Sequence, residues 1–183
     1  MDSANVDMKS QHDSHEQFTQ YYAEASRSAA TLQRIRSIRD RVLTVADSYG
    51  LAKQELDVAD IGCGAGTQSL LWAEMGHHVH ALDINQPLLE LARQRCSEAG
   101  YAIDFKLGSA TCLPWPDQSM DVCLLLELIE HVTEWEPCLA ESARVLRPGG
   151  ILFLSTSNKL CPIQDEFNLP LYSWYPKSLK NSL

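Results

Sequence analysis

The stretch Asp60-Ile-Gly-Cys-Gly-Ala-Gly66 follows an apolar run that begins at Leu56 and precedes a segment, from Thr67, with the composition of a helix. Strand, glycine turn and helix in this order form the place where an open parallel sheet seats a ligand, outside the carboxyl ends of its strands. The glycines let the chain turn sharply and let a ligand approach the backbone. The helix that follows offers unbonded N–H groups at its start. Taken alone, such a turn fits equally a tight bend that needs small residues. The spacing G-x-G-x-G differs from the G-x-G-x-x-G of dinucleotide sites. Asp60, at the strand end, would repel a pyrophosphate and suits a ligand bearing an ammonium group. Asp83 closes the next strand, and an acid there can accept both hydrogen bonds of a ribose diol. A lone Asp after a strand also fits a turn or helix cap.

Outward from this stretch the pattern alternates. Strands are expected over 56–61, 78–82, 102–107, 121–126 and 151–155. Helices are expected over 67–75, 87–99 and 134–146, punctuated by Gly76, Pro87, Gly100 and Pro148-Gly149-Gly150. The fourth strand is apolar throughout and belongs at the centre of the sheet. The alternation predicts an α/β fold, a doubly wound, mostly parallel sheet covered on both faces. Before it, Leu32, Ile35, Ile38, Val42 and Val45 recur at helical spacing, with Arg34, Arg36, Arg39 and Arg41 mostly on other faces. They mark an amphipathic helix that stops near Gly50. Residues 1–15 are polar and read as disordered. The remainder, 16–183, reads as one domain: a helical cap over 16–50, a ligand-binding core over 55–157 and a tail over 158–183. The tail holds Pro162, Pro170, Pro176 and an aromatic group of Tyr172, Trp174 and Tyr175, with no strand assigned.

The 183 residues carry a formal net charge of -9, which argues against a general nucleic-acid binder. No stretch reads as a membrane span or a signal peptide. The cysteines (Cys63, Cys96, Cys112, Cys123, Cys138 and Cys161) are scattered, without a C-x-x-C pair. They read as free thiols of a cytoplasmic protein, not as a disulfide framework or a zinc site.

Six segments stand in order between residues 55 and 157: the glycine stretch 60–66; Ala81-Leu-Asp83-Ile84; Gly108-Ser-Ala110 with Leu113-Pro114; Asp121-Val122; Glu127-Leu-Ile-Glu-His131-Val; and Arg144-Val-Leu-Arg-Pro-Gly-Gly150. Together they resemble the class I S-adenosylmethionine-dependent methyltransferases of the small-molecule type. The resemblance implies a Rossmann-like methyltransferase fold with S-adenosylmethionine as cofactor and S-adenosylhomocysteine as product. It places Gly62, Cys63, Gly64 and Gly66 under the methionine part, Asp60 toward its ammonium group and the Leu126 carbonyl nearby. It places Asp83 on the ribose, Ile84 on the adenine face, and Ser109 and Ala110 at the adenine edge. Many relatives carry Asp where this chain has Ser109. A serine hydroxyl accepts as a neutral partner, so binding is expected to be weaker by about 1 kcal/mol, the scale of one hydrogen bond.

The segment from Glu127 to His131 is similar to that of the quinone-biosynthesis O-methyltransferases. By that resemblance His131 is the candidate base, with Glu127 and Glu130 orienting it. The alternative is that the segment only fixes its loop. Alternatively Glu127 and Glu130 would help hold a divalent ion, an option for an oxygen nucleophile that nothing else in the sequence supports. The expected function is methyl transfer to a small molecule, at oxygen. The alternatives are a cofactor-binding module without catalysis and, less favoured, an NAD-dependent oxidoreductase. The aromatic tail would form an acceptor wall or lid, or equally an ordinary aromatic patch on the core, and Tyr21 with Tyr22 would close over the cofactor. The family's sheet has seven strands where five are read here, so the last two are expected to be missing, as in a short or truncated form. The fifth strand would then be an open edge, suited to a homodimer.

Overall fold

The computed structural model describes residues 24–51 and 55–156, together with the backbone of 163–164 and 169–170. Helix α1 (Ala29–Ser48) starts at Ser28, whose hydroxyl accepts from the Thr31 amide at 3.1 Å. Such a cap satisfies one of the donors that the first turn leaves unbonded. There follow β1 (Asp57–Ile61), α2 (Thr67–Ala73), β2 (His78–Asp83), α3 (Gln86–Glu98), β3 (Asp104–Leu107), β4 (Met120–Leu126), a short 3-10 turn (Ile129–His131), α4 (Trp135–Val145) and β5 (Leu146–Ser155). The strands form one parallel sheet in the order β3-β2-β1-β4-β5. The order reverses beside β1, which opens a crevice between the carboxyl ends of β1 and β4.

Burial explains the apolar runs. Along β1, Val58 belongs to one cluster with Val42, Trp72, Val122 and Leu124, under α1 and α2. Ala59 and Ile61 belong to another with Trp115, Cys123, Leu125, Cys138 and Val145, under α4. A strand covered on both faces needs apolar side chains at every position, not at alternate ones. Helix α3 lays Leu89, Ala92 and Cys96 against Ala81 and Phe105. The central strands are therefore buried and the helices divide between the two faces, as expected of a doubly wound sheet.

Three boundaries differ from the sequence reading by two residues or more; one is β3, which starts at Asp104 and not at 102. Helix α2 ends at Ala73, because the chain turns through Gly76 at φ +84°. Strand β5 starts at Leu146, five residues before Ile151. Its first pairing, Met120 with Leu146, slips before Val122 pairs with Ile151. The Pro148-Gly149-Gly150 turn is thus taken up as an irregularity inside the strand.

Two arginines of the same segment hold this end of the sheet. Arg147 pairs with Asp57 at 2.8 Å and Asp121 at 2.7 Å, joining β5 to β1 and β4. Arg144 donates to the carbonyls of Leu113 and Trp115 and to Glu141 and Asp117. These motif residues lie at the amino ends of the strands, away from the crevice.

Among the described residues β5 is an edge of the main sheet, with Leu152 and Leu154 38% and 42% exposed. Where no strand was assigned, Ile163 pairs with Pro170 and Gln164 with Leu169, antiparallel and in a separate sheet. Tyr21, Tyr22, Cys161, Tyr172, Trp174 and Tyr175 lie outside the described residues. The other five cysteines are free, four of them buried. No helix among the described residues is long and apolar enough to cross a membrane.

Candidate cofactor site

The glycine turn owes its shape to three left-handed residues: Gly62 at φ +78°, Gly64 at +51° and Gly66 at +74°. A Cβ on Gly66 would lie 2.7 Å from the Ala92 Cβ, so the third glycine lets α3 approach. A Cβ on Gly62 would lie 2.8 Å from Leu128 Cδ1. Asp83 fixes the turn from β2. Its Oδ2 accepts from the Gly64 amide at 2.7 Å and its Oδ1 from the Asn85 amide at 2.8 Å. Asp83 is thus a cap as well as a candidate ribose ligand, since each carboxylate oxygen has a second lone pair.

Two cavities meet at Gly62 in the crevice. The first, about 200 Å³, is lined by Asp60, Gly62, Cys63, Gln68, Leu126 and Glu127, and by Arg34 with Thr31 from α1. The second, about 300 Å³, is lined by Asp83, Ile84, Ser109, Ala110, Leu128 and His131, again with Gly62. Ile84 is 79% exposed at its rim, an apolar side chain held in the open. Ser109 Oγ accepts from the Thr111 amide at 3.2 Å and bonds to the Thr111 hydroxyl at 2.8 Å. That turn holds the serine in place within the cavity wall.

Asp60 lies at the floor of the first cavity, 3% exposed. It accepts from the Ser69 hydroxyl at 2.5 Å. Burial, reinforced by the charge of Asp83, pushes its carboxyl up to about 7 against the pull of Ser69. A cation beside it would relieve that penalty. Both amide atoms of Gln68 are buried without a partner among the described residues. An unpaired buried amide group costs about 1–3 kcal/mol, which favours a polar ligand that reaches it. Cys63 is no nucleophile: burial and the neighbouring Asp60 raise its thiol far above the ordinary range.

The structure brings together most of the residues expected from the sequence and separates others. Asp60, Gly62, Cys63 and Leu126 share the first cavity, while Asp83, Ile84, Ser109 and Ala110 share the second. Gly64 and Gly66 support the turn from behind. The candidate catalytic residues are divided. Glu127 faces the first cavity and pairs with Arg34. His131 lines the second, and Glu130 lines neither. Among the described residues no group of acids, histidines and cysteines is arranged to hold a metal ion. Arg34 and Gln68 were missed in the sequence. Gln68 left no distinct signal, because it stands between Thr67 and Ser69 in a polar first turn of α2.

Residues 59–154 match the family described as methyltransferase domain. The chain belongs to this family. Its members share the class I, Rossmann-like fold, with S-adenosylmethionine as cofactor, and methyl transfer is the family's reaction. Among curated relatives, the malonyl-[acyl-carrier protein] O-methyltransferase of Serratia marcescens is 37% identical, over 70% of this chain and 47% of its own length. The ubiquinone biosynthesis O-methyltransferase of Sinorhizobium medicae is 33% identical, over 69% of this chain and 52% of its own. The chain spans about half the length of the curated relatives it matches. A solved S-adenosylmethionine-dependent methyltransferase from Methanosarcina mazei aligns with a TM-score of 0.54 at 29% identity, covering 59% of this chain and 54% of that one.

The linings of the two cavities are compatible with the methyltransferase cofactor. The first cavity offers an acid raised by burial, a guanidinium and an unpartnered amide, which suit the charged amino-acid end. The second offers Asp83 and an open apolar rim, which suit a ribose and a base.

Proposed function

We propose that this domain binds S-adenosylmethionine across the two cavities and directs its methyl group to an oxygen of a small molecule. The observation that carries the reading is Asp60, a buried carboxyl at the end of β1 whose ionised form calls for a cation. In this reading Asp60 takes the ammonium group, Arg34 and Gln68 serve the carboxylate, and Asp83 holds the ribose. Bound there, the cofactor supplies a methyl group made strongly electrophilic by its sulfonium. The protein has to hold the acceptor oxygen in line with it, and positioning alone can supply several kcal/mol of barrier reduction. A hydroxyl acceptor must also lose a proton. His131 is the proposed base, exposed at the rim of the second cavity beside Leu128 and Val132. Glu130 stands next to it in the chain, and Glu127 faces the first cavity. A carboxylate acceptor would need no base, so the role of His131 depends on the acceptor.

Calorimetry with S-adenosylhomocysteine and with NAD tests the cofactor; binding of NAD alone would remove the reading. A screen for transfer of a tritiated methyl group then tests the chemistry. Replacing His131 with Ala should cut turnover sharply while cofactor affinity changes little, and unchanged turnover would remove the base assignment. Tight cofactor binding with no transfer to any small hydroxylated or carboxylated acceptor would favour a binding module without catalysis. The five free thiols fit a reducing compartment such as the cytoplasm. Self-association through the β5 edge is tested by light scattering; a strict monomer removes it.

A further inference from the structure

We propose that Glu127 stands in for the cofactor's carboxylate, occupying Arg34 until the cofactor displaces it. The proposal rests on the reading above, in which the first cavity takes the amino-acid end. Arg34 comes from α1 and Glu127 from the turn after β4, 93 residues later. Both guanidinium Nη atoms face the carboxylate: Nη1 bonds Oε1, and Nη2 lies 3.5 Å from Oε2. Both residues line the first cavity beside Asp60 and Gln68. Among the described residues lining it, Arg34 is the one cation. An entering α-carboxylate therefore finds its natural partner already taken by a group of the same kind. The guanidinium fork binds one carboxylate or the other with the same geometry.

Two features make the exchange accessible. The pair is half exposed, 49% and 48%, and water screens such a pair to a small net strength. The backbone of Glu127 need not move, because its amide is held by the Ser155 carbonyl at 2.9 Å and hydroxyl at 3.2 Å. Glu127 sits at φ +50°, a left-handed conformation disfavoured for a residue with a side chain. That conformation sets its carboxylate over the cavity. Rotation of the side chain alone gives up Arg34.

Calorimetry of the 183-residue chain with S-adenosylhomocysteine and with 5′-methylthioadenosine, which lacks the amino-acid end, tests this. Wild-type binding of S-adenosylhomocysteine establishes the underlying reading; binding of neither ligand would overturn both. In E127Q the competitor is gone, and S-adenosylhomocysteine should bind about 3–10-fold tighter, as expected when an occupied site becomes free. Affinity for 5′-methylthioadenosine should not change. In R34Q S-adenosylhomocysteine should bind at least about tenfold more weakly, again with 5′-methylthioadenosine unaffected. Glu127→Asp keeps the charge and should stay near wild type. With wild-type binding intact, an E127Q variant that binds S-adenosylhomocysteine no tighter, or shifts both ligands alike, overturns the exchange.

Discussion

Ser69 donates its hydroxyl to Asp60 across 2.5 Å, beneath the cavity where β1 ends. The bond favours the ionised acid, yet burial outweighs it and leaves the carboxyl at about 7. Between the ordinary value of 3.8 and about 7 the folded chain keeps a proton that the unfolded chain has released. Stability contributed by this group therefore falls as pH rises through that window and is level above it. Urea titrations from pH 4.5 to 7.5 should show wild type losing stability relative to Asp60→Asn as pH rises. Calorimetry at pH 6 in buffers of different ionisation heat should also show proton release when S-adenosylhomocysteine binds, because its ammonium group favours the ionised acid. Parallel urea curves and no proton release would mean that Asp60 is already ionised in the free protein.

Gly66 and Gly76 are both left-handed, at +74° and +84°, but only Gly66 has a neighbour within 4 Å of its would-be Cβ. Gly76→Ala should cost about 1–2 kcal/mol, the backbone penalty alone. Gly66→Ala should cost a further 1–3 kcal/mol, on the order of overpacking against Ala92. Adding Ala92→Gly should recover much of that excess. Equal costs for the two alanines in denaturant unfolding would remove the role assigned to the contact with α3.

Arg144 ties α4 to the loop before β4 through the Leu113 and Trp115 carbonyls and the Asp117 carboxylate, and also bonds Glu141 on its own helix. Arg144→Lys keeps the charge but cannot reach all four, so it should destabilise almost as much as Arg144→Ala, by about 1–3 kcal/mol. Hydrogen bonding from Arg144 holds the Glu141 carboxyl down at about 2. Its contribution is present above the ordinary value of 4.5 and is lost as pH falls toward about 2. In Arg144→Ala the Glu141 carboxyl should titrate closer to that ordinary value, as followed by NMR. An unmoved titration would show that the Leu113 amide, bonded to Glu141 at 2.7 Å, is the stronger cause.

The sheet was legible in the sequence because burial on both faces forces continuous apolar runs, and because most of the turns are marked by glycine. The order of Asp60, the glycines and Asp83 was enough to point to the crevice at the carboxyl ends of β1 and β2. Strand β5 was read too short because Pro148-Gly149-Gly150 was taken as the stop after the preceding helix, whereas pairing already begins at Leu146 and slips around the turn. Arg34 was read only as one of four arginines lying mostly off the apolar face of α1. Its partner lies in the turn after β4, and no periodicity within α1 reveals a meeting of side chains so distant in the chain. The same holds for Asp83, whose bonds to Gly64 and Asn85 depend on how the turn folds back over β2. The Arg-Val-Leu-Arg segment was read for its resemblance, and only the packing shows that its arginines brace the opposite end of the sheet.

The reversal of strand order beside β1 also bears on how the chain is made. Ala59 pairs with Cys123, so one side of β1 has no neighbour until β4 has left the ribosome. At about 5–20 residues per second that interval lasts roughly 3–13 s. During it the apolar strand β1 and its helices can pair with β2 and β3 but cannot close the core. A half-built sheet of this kind is where misfolding and capture by chaperones concentrate. Variants that weaken the junction of β1 and β4, such as changes at Val58 or Val122, should therefore lower soluble yield more than their effect on the finished fold accounts for.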